Sequence, residues 1–200
     1  MRKVLFFLML TLLTLFLAAC DNGSPDLKVN TVSKANLTER EEVILSSTAA
    51  QSFVFDFNVE DKYKEVAVWV EKYKSGELVE EMNHISTGIK KRGTIIFTTS
   101  NMSEGSNQVL FTIGINSDGS TSTGWNPETI TKVDDLQAVW GSNPLSDIAI
   151  KDKMVLASIC YSGSKNGISS LSTDFYNDVE GHMNELKNYD VVYLLRSEFK

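Results

Sequence analysis

Phe53, Phe55, Phe57 and Val59 alternate with Val54, Asp56 and Asn58, and Val66, Val68 and Val70 alternate with Ala67, Trp69 and Glu71. An apolar period of two matches a strand, whose successive side chains point to opposite faces, and does not match a helix. Thr94–Thr99 and Gln108–Ile115 form a further pair of β-branched and aromatic runs, joined by a Ser-, Asn- and Gly-containing linker. Lys74-Ser75-Gly76-Glu77 reads as a hairpin turn leading into Leu78–Met82. Regular short strands of this kind predict a β-rich fold of the α+β class, with an antiparallel meander or sandwich at its centre.

The remaining elements are fewer. Asn36 or Thr38 is placed to cap a short helix over Thr38–Leu45, with Glu41 as the capping-box partner of Thr38. Asn116–Asn126 reads as a long polar loop, and Asp134–Trp140 as one or two helical turns. Met154–Tyr161 is apolar throughout and predicts a buried strand, followed by a loop over Ser162–Ser172. Thr173 is set to cap a helix to about Lys187, with Phe175, Val179, His182, Met183 and Leu186 along one face. Asp190–Phe199 closes the chain as a strand. This strand–helix–strand element is compatible with a right-handed βαβ unit or with an antiparallel return.

The first residues follow another logic. Met1-Arg2-Lys3 is a positive head, and Val4–Ala19 contains no charged residue. Such a run, ending in small residues, is the pattern of a secretory signal. It falls short of the roughly 20 apolar residues a membrane span needs. Leu17-Ala18-Ala19-Cys20 matches the lipobox of bacterial lipoproteins, in which cleavage falls between Ala19 and Cys20 and a diacylglycerol is attached to the cysteine sulfur. Two acyl chains give stable membrane attachment where one is marginal. The expected organisation is a signal peptide over 1–19, a lipidated cysteine and flexible tether over 20–36, and one globular β-rich domain over 37–200.

Composition narrows the partners. The chain carries 19 Lys+Arg against 26 Asp+Glu, a formal net charge of −7. Without Arg2 and Lys3 the mature part stands at −9. That balance argues against nucleic acid, whose binders carry basic stripes, and against electrostatic adhesion to anionic lipid, so the acyl chains are expected to do the holding. With Cys20 lipidated, Cys160 is the one thiol left, so no intramolecular disulfide is expected.

Each candidate for chemistry has a plain structural alternative. Cys160, His182 and Asp174 or Asp178 are the residue types of a thiol triad, but Cys160 sits in an apolar run that reads as core. His84 and His182 lie far apart without metal-binding spacing, so no metal site and no cofactor are expected. Asn116–Ser120 lacks the closing Glu of a calcium loop, and Gly163–Gly167 lacks the Gly-Lys-Ser/Thr of a phosphate loop. Lys90-Lys91-Arg92 is the basic cluster, read as a solvated hairpin tip, with anionic lipid or wall polymer as the sharper alternative. Trp69 on an alternating strand reads as core. Trp125, in a polar Gly/Asn context, is the candidate recognition aromatic.

The lipobox, the tether and the acidic β-rich body resemble small lipoproteins of Bacillus-type bacteria, as do the stretches LTEREEVILSS, VFDFNV, MVLASICYS and TDFYNDVEGHMNELK. That resemblance implies a place, the extracytoplasmic face of the cell membrane, and brings no activity or catalytic residue. The expected function is therefore a membrane-anchored, non-catalytic binding or interaction module for a protein or envelope ligand. An enzyme using Cys160 and His182, or a small solute-binding lipoprotein, are the alternatives.

Overall fold

The computed structural model describes residues 28–102, 107–130 and 136–200. The signal, Ala19 and Cys20 lie outside the described residues.

The chain is mostly strand, arranged as two antiparallel sheets. In chain order these are β1 (Thr31–Lys34), β2 (Gln51–Asn58), β3 (Glu65–Lys74), β4 (Glu77–Gly88), β5 (Arg92–Asn101), β6 (Gln108–Ser117), β7 (Ser120–Thr129), β8 (Gln137–Ser142), β9 (Ile148–Ala149), β10 (Met154–Ser162) and β11 (Val191–Phe199). The first sheet has the order β7-β6-β5-β2-β1-β9, and the second β4-β3-β11-β10-β8. One core fills the space between them. Phe55, Phe57, Ile95, Phe97, Phe111 and Ile113 enter it from the first sheet, and Val66, Val68, Val70, Ile159, Tyr193 and Leu195 from the second. The Phe111 and Tyr193 rings meet edge to face there, 4.9 Å apart.

A second, smaller core lies on the other side of the second sheet. Thr173–Asn177 (α2) and Val179–His182 (α3), followed by a 3-10 turn over Met183–Asn188, cover its outer face. Phe175, Tyr176, Leu186 and Tyr189 press onto Tyr73, Val155, Cys160, Val192 and Leu194. Helix α1 (Glu39–Thr48) joins β1 to β2 and buries no residue.

The expected hairpin at Lys74–Glu77 is present, with Ser75 and Gly76 at φ 48° and 84°. Only glycine enters that region without strain, and a Cβ on Gly76 would also meet the Lys187 side chain. The capping box is present too. Thr38 accepts from the Glu41 amide, and the Glu41 carboxylate takes the Thr38 amide at 2.8 Å.

Several expectations are corrected. The polar stretch read as a tether to Asn36 is folded from Thr31, because β1 pairs with β2 on one side and β9 on the other. The loop expected over Asn116–Asn126 is a tight turn at Asp118-Gly119 followed by β7. Of the helical turns expected over Asp134–Trp140, the described part is strand β8, which ladders onto β10. The single C-terminal helix is broken at Asp178, and Ser172 rather than Thr173 caps its first piece. Of the two returns left open for the C-terminal strands the antiparallel one forms, since β10 and β11 are antiparallel neighbours. Lys90-Lys91-Arg92 is not a hairpin tip but the link that carries the chain from β4 in the second sheet to β5 in the first.

Candidate functional site

Cys160 lies on the outer face of β10, beneath the helical cover, with no exposed surface. Burial pushes its thiol up to about 12, against a smaller lowering by Ser158. A thiol held protonated at neutral pH is a poor nucleophile. His182 stands at the rim of α3, where its Nδ1 lies 2.8 Å from the Asp178 carbonyl oxygen. No hydrogen bond joins it to Cys160 among the described residues, so the suggested triad is not assembled. His84 stacks on Trp69, rings 5.3 Å apart, and no group of three His, Cys, Asp or Glu is placed to hold a metal among the described residues.

The same outer face holds a buried carboxylate that sequence reading missed. Alternation along β3 points Trp69, Glu71 and Tyr73 to this face, and Arg196 reaches them from β11. Arg196 Nε donates to Glu71 Oε2 at 2.8 Å, Tyr73 OH donates to the same oxygen at 2.8 Å, and Trp69 Nε1 donates to Oε1 at 3.2 Å. Glu71 is 3% exposed and Arg196 5%, so this cluster is sealed and satisfied within the protein. Its geometry suits holding the sheet rather than meeting a ligand.

What remains open to a partner is different in kind. Trp125 stands on β7, the edge strand of the first sheet, with 68% of its surface exposed, rather than in a loop. On the opposite flank the two sheets part. β1 ends at Lys34, so the beginning of β2 has a strand neighbour only on its β5 side. β8 is the last strand of the second sheet. Between them lies a groove of about 350 Å³, lined by Leu37, Phe53, Phe55 and Trp140 together with the polar Lys34, Gln51, Ser52 and Ser142. Trp140 is 45% exposed and is part of its wall. The volume is that of a small ligand site, with a mixed apolar and polar lining beside strand edges. Nothing in the sequence could single out Trp140, since the groove exists only once β2 and β8 are set opposite each other.

Among the described residues no helix is long and apolar enough to cross a membrane. Residues 31–199 match the family model of the YgaN domain, and the chain belongs to that family. The matched span begins at the first residue of β1 and ends at the last of β11, so it coincides with the folded body. No curated protein and no solved structure matches the chain.

Proposed function

We propose that this YgaN-domain protein is a membrane-anchored, extracytoplasmic lipoprotein whose β-sandwich binds an extended segment of another envelope protein without catalysing a reaction on it. The observation that carries the binding half is the groove between β2 and β8, where Leu37, Phe53, Phe55 and a half-exposed tryptophan lie beside two strand edges. An extended segment added along such an edge gains main-chain hydrogen bonds, and alternate side chains fill the floor. The anchoring half rests on Leu17-Ala18-Ala19-Cys20 behind its apolar run. The non-catalytic character rests on the sealing of Cys160 and of Glu71, which leaves the exposed flank rich in recognition groups and poor in reactive ones.

A photo-activatable residue at position 140, in the intact membrane, should give a discrete protein adduct, whereas the same residue at position 125 or 165 should not. Adducts equal at all three positions, or none at 140, would overturn the groove. Mass spectrometry of the mature protein should find residues 1–19 removed and diacylglycerol on Cys20. A bare thiol there would overturn the anchor. The groove volume also admits a small apolar solute, and that reading gains if such a solute raises the melting temperature while position 140 gives no protein adduct.

A further inference from the structure

On the outer face of the first sheet the register lines up three side chains across β7, β6 and β5. Trp125 lies opposite Thr112, and Thr112 opposite Thr98. The next rung holds Thr123, Gly114 and Ile96. Over 123–127, 110–114 and 96–100 no side chain is charged, in a chain whose residues are 22% charged. Trp125 is 68% exposed, and among the described residues no protein group takes the hydroxyls of Thr98, Thr112 and Thr123. Gly114 has no folding reason to be glycine. Its φ is not in the left-handed region, and a Cβ there would meet only the Ile96 Cβ, at an ordinary 3.8 Å. Glycine inside a strand weakens it. Where neither a turn nor a crowding neighbour asks for it, such a glycine marks a place that a ligand approaches closely.

We infer that this face binds a neutral glycan strand of β-linked pyranose rings, with one ring stacked on Trp125, its neighbours laid across Thr112 and Thr98, and a ring substituent in the room above Gly114. Charge and chemistry select this occupant. An ionic partner would lose hydration here and find no counter-charge. A wholly apolar partner would cover the threonine hydroxyls and leave them unpaired. A sugar ring meets both demands. Its C–H face packs on an indole, whose π face is negative, and its hydroxyls exchange hydrogen bonds with the threonines. Neighbouring strands stand about 4.8 Å apart, so the rung from Trp125 to Thr98 spans about 10 Å. That length suits a short run of rings better than a single one. The face is separate from the groove between β2 and β8, which is lined by Trp140 and the first half of β2. The extracytoplasmic place proposed above brings the face to where envelope glycans lie, but the binding itself depends on neither the anchor nor the groove.

The test titrates the full-length protein, held in detergent, with the β-1,4-linked hexamer of N-acetylglucosamine, and reads affinity by calorimetry. The hexamer should bind with a Kd below about 1 mM and should shield Trp125 fluorescence from iodide. Trp125→Ala should weaken binding at least about tenfold, the scale of an aromatic anchor, while Trp125→Tyr should recover part of the loss. Gly114→Val should weaken it at least about tenfold as well, because it fills the room above the strand, and should not lower the melting temperature. Should valine disturb the fold, Gly114→Ala reads the same effect with a smaller side chain. Raising salt from about 0.1 to about 1 M should leave the Kd unchanged within about twofold, since no charge takes part. A hexamer of galacturonic acid, anionic at neutral pH, should not bind. No heat and no shielding with the neutral hexamer overturns the inference. So does binding that Trp125→Ala or a folded Gly114 variant leaves untouched. Equal binding of the anionic hexamer would mean that a charged polymer is held instead, and overturns the neutral one.

Discussion

The outer face of the first sheet is open to solvent, while in the second the central strands β3, β10 and β11 are buried on their outer face, partly beneath α2, α3 and the turn that follows. Their strands differ accordingly. β5 and β6 alternate between buried and partly exposed positions along most of their length. β3, β10 and β11 are buried almost without interruption, in the runs VAVWV, MVLASIC and VVYLLR. A face that meets water needs polar side chains, and a face that meets another layer cannot leave them unpartnered. So the polar groups of the covered face are tied together: Glu71 to Arg196, Tyr73 and Trp69, and Ser158 to Tyr176 at 2.8 Å. Polar residues on the open face stay at least partly exposed at most positions, and some pair across strands, as Thr94 Oγ1 does in donating to Asp56 Oδ1 at 2.8 Å. The comparison teaches where substitutions should hurt.

Breaking the Glu71–Arg196 pair should give the largest effect. Arg196→Met leaves a carboxylate 3% exposed without its cation, and stranding one partner of a buried pair costs about 3–5 kcal/mol. Adding Glu71→Leu removes the stranded charge and should recover part of that loss. Recovery should stop short, because the Trp69 N–H and Tyr73 O–H then lack an acceptor, at about 1–3 kcal/mol for each buried orphan. Urea unfolding of the single and double variants measures both steps. A double variant as weak as Arg196→Met alone would mean that the carboxylate matters only as an acceptor.

The covered face should also give way first in alkali. Burial pushes Cys160 up to about 12 and raises the Tyr73 and Tyr176 hydroxyls above their ordinary range. In the unfolded chain the thiol ionises near 8.5, so above that pH the unfolded state has lost a proton that the folded state keeps. Stability is then fully present below about pH 8.5 and falls as pH rises toward 12, by about 1.4 kcal/mol per pH unit for the thiol alone. The melting temperature should be flat from pH 7 to 8 and decline above 9, less steeply in Cys160→Ala. Equal slopes in the two proteins would show that the thiol is not shut in.

The same contrast explains what could be read in advance. Half-buried strands such as β2 and β5 announce themselves by alternation, and the Thr38–Glu41 box and the Ser75-Gly76 turn are local chemistry. β7 was hidden because Ser, Thr, Gly and Asn fill it. It is a strand because β6 offers it a complete ladder and because Gly124 admits β4 closely, with Asn83 Oδ1 2.7 Å from where a Cβ would stand. β8 was hidden by a short apolar stretch that suits either period. The antiparallel return of β10 into β11 depends on how the helical cover folds back, which no local pattern records. The Trp140 groove was illegible because it joins segments that are distant in sequence, and Leu37 carries no mark of its eventual neighbours.

The smallest effect should come from Trp125, with Trp69 as the internal standard. Both stand on strands and both are tryptophans, so they differ in surroundings alone. Trp69 is 2% exposed, stacked on His84 and donating to Glu71, and Trp69→Ala should cost about 3–5 kcal/mol. Trp125 is 68% exposed on the open face, and Trp125→Ala should change stability by less than about 0.5 kcal/mol. Its fluorescence should be quenched readily by iodide, while that of Trp69 is protected. A loss above about 1 kcal/mol at Trp125, or protection of its fluorescence in the isolated protein, would mean that the first sheet is covered as the second is, and the contrast between the two faces would fail. Stability unchanged but quenching suppressed only in the native membrane would place a partner on the open face instead, and would restore Trp125 beside Trp140 as a recognition group.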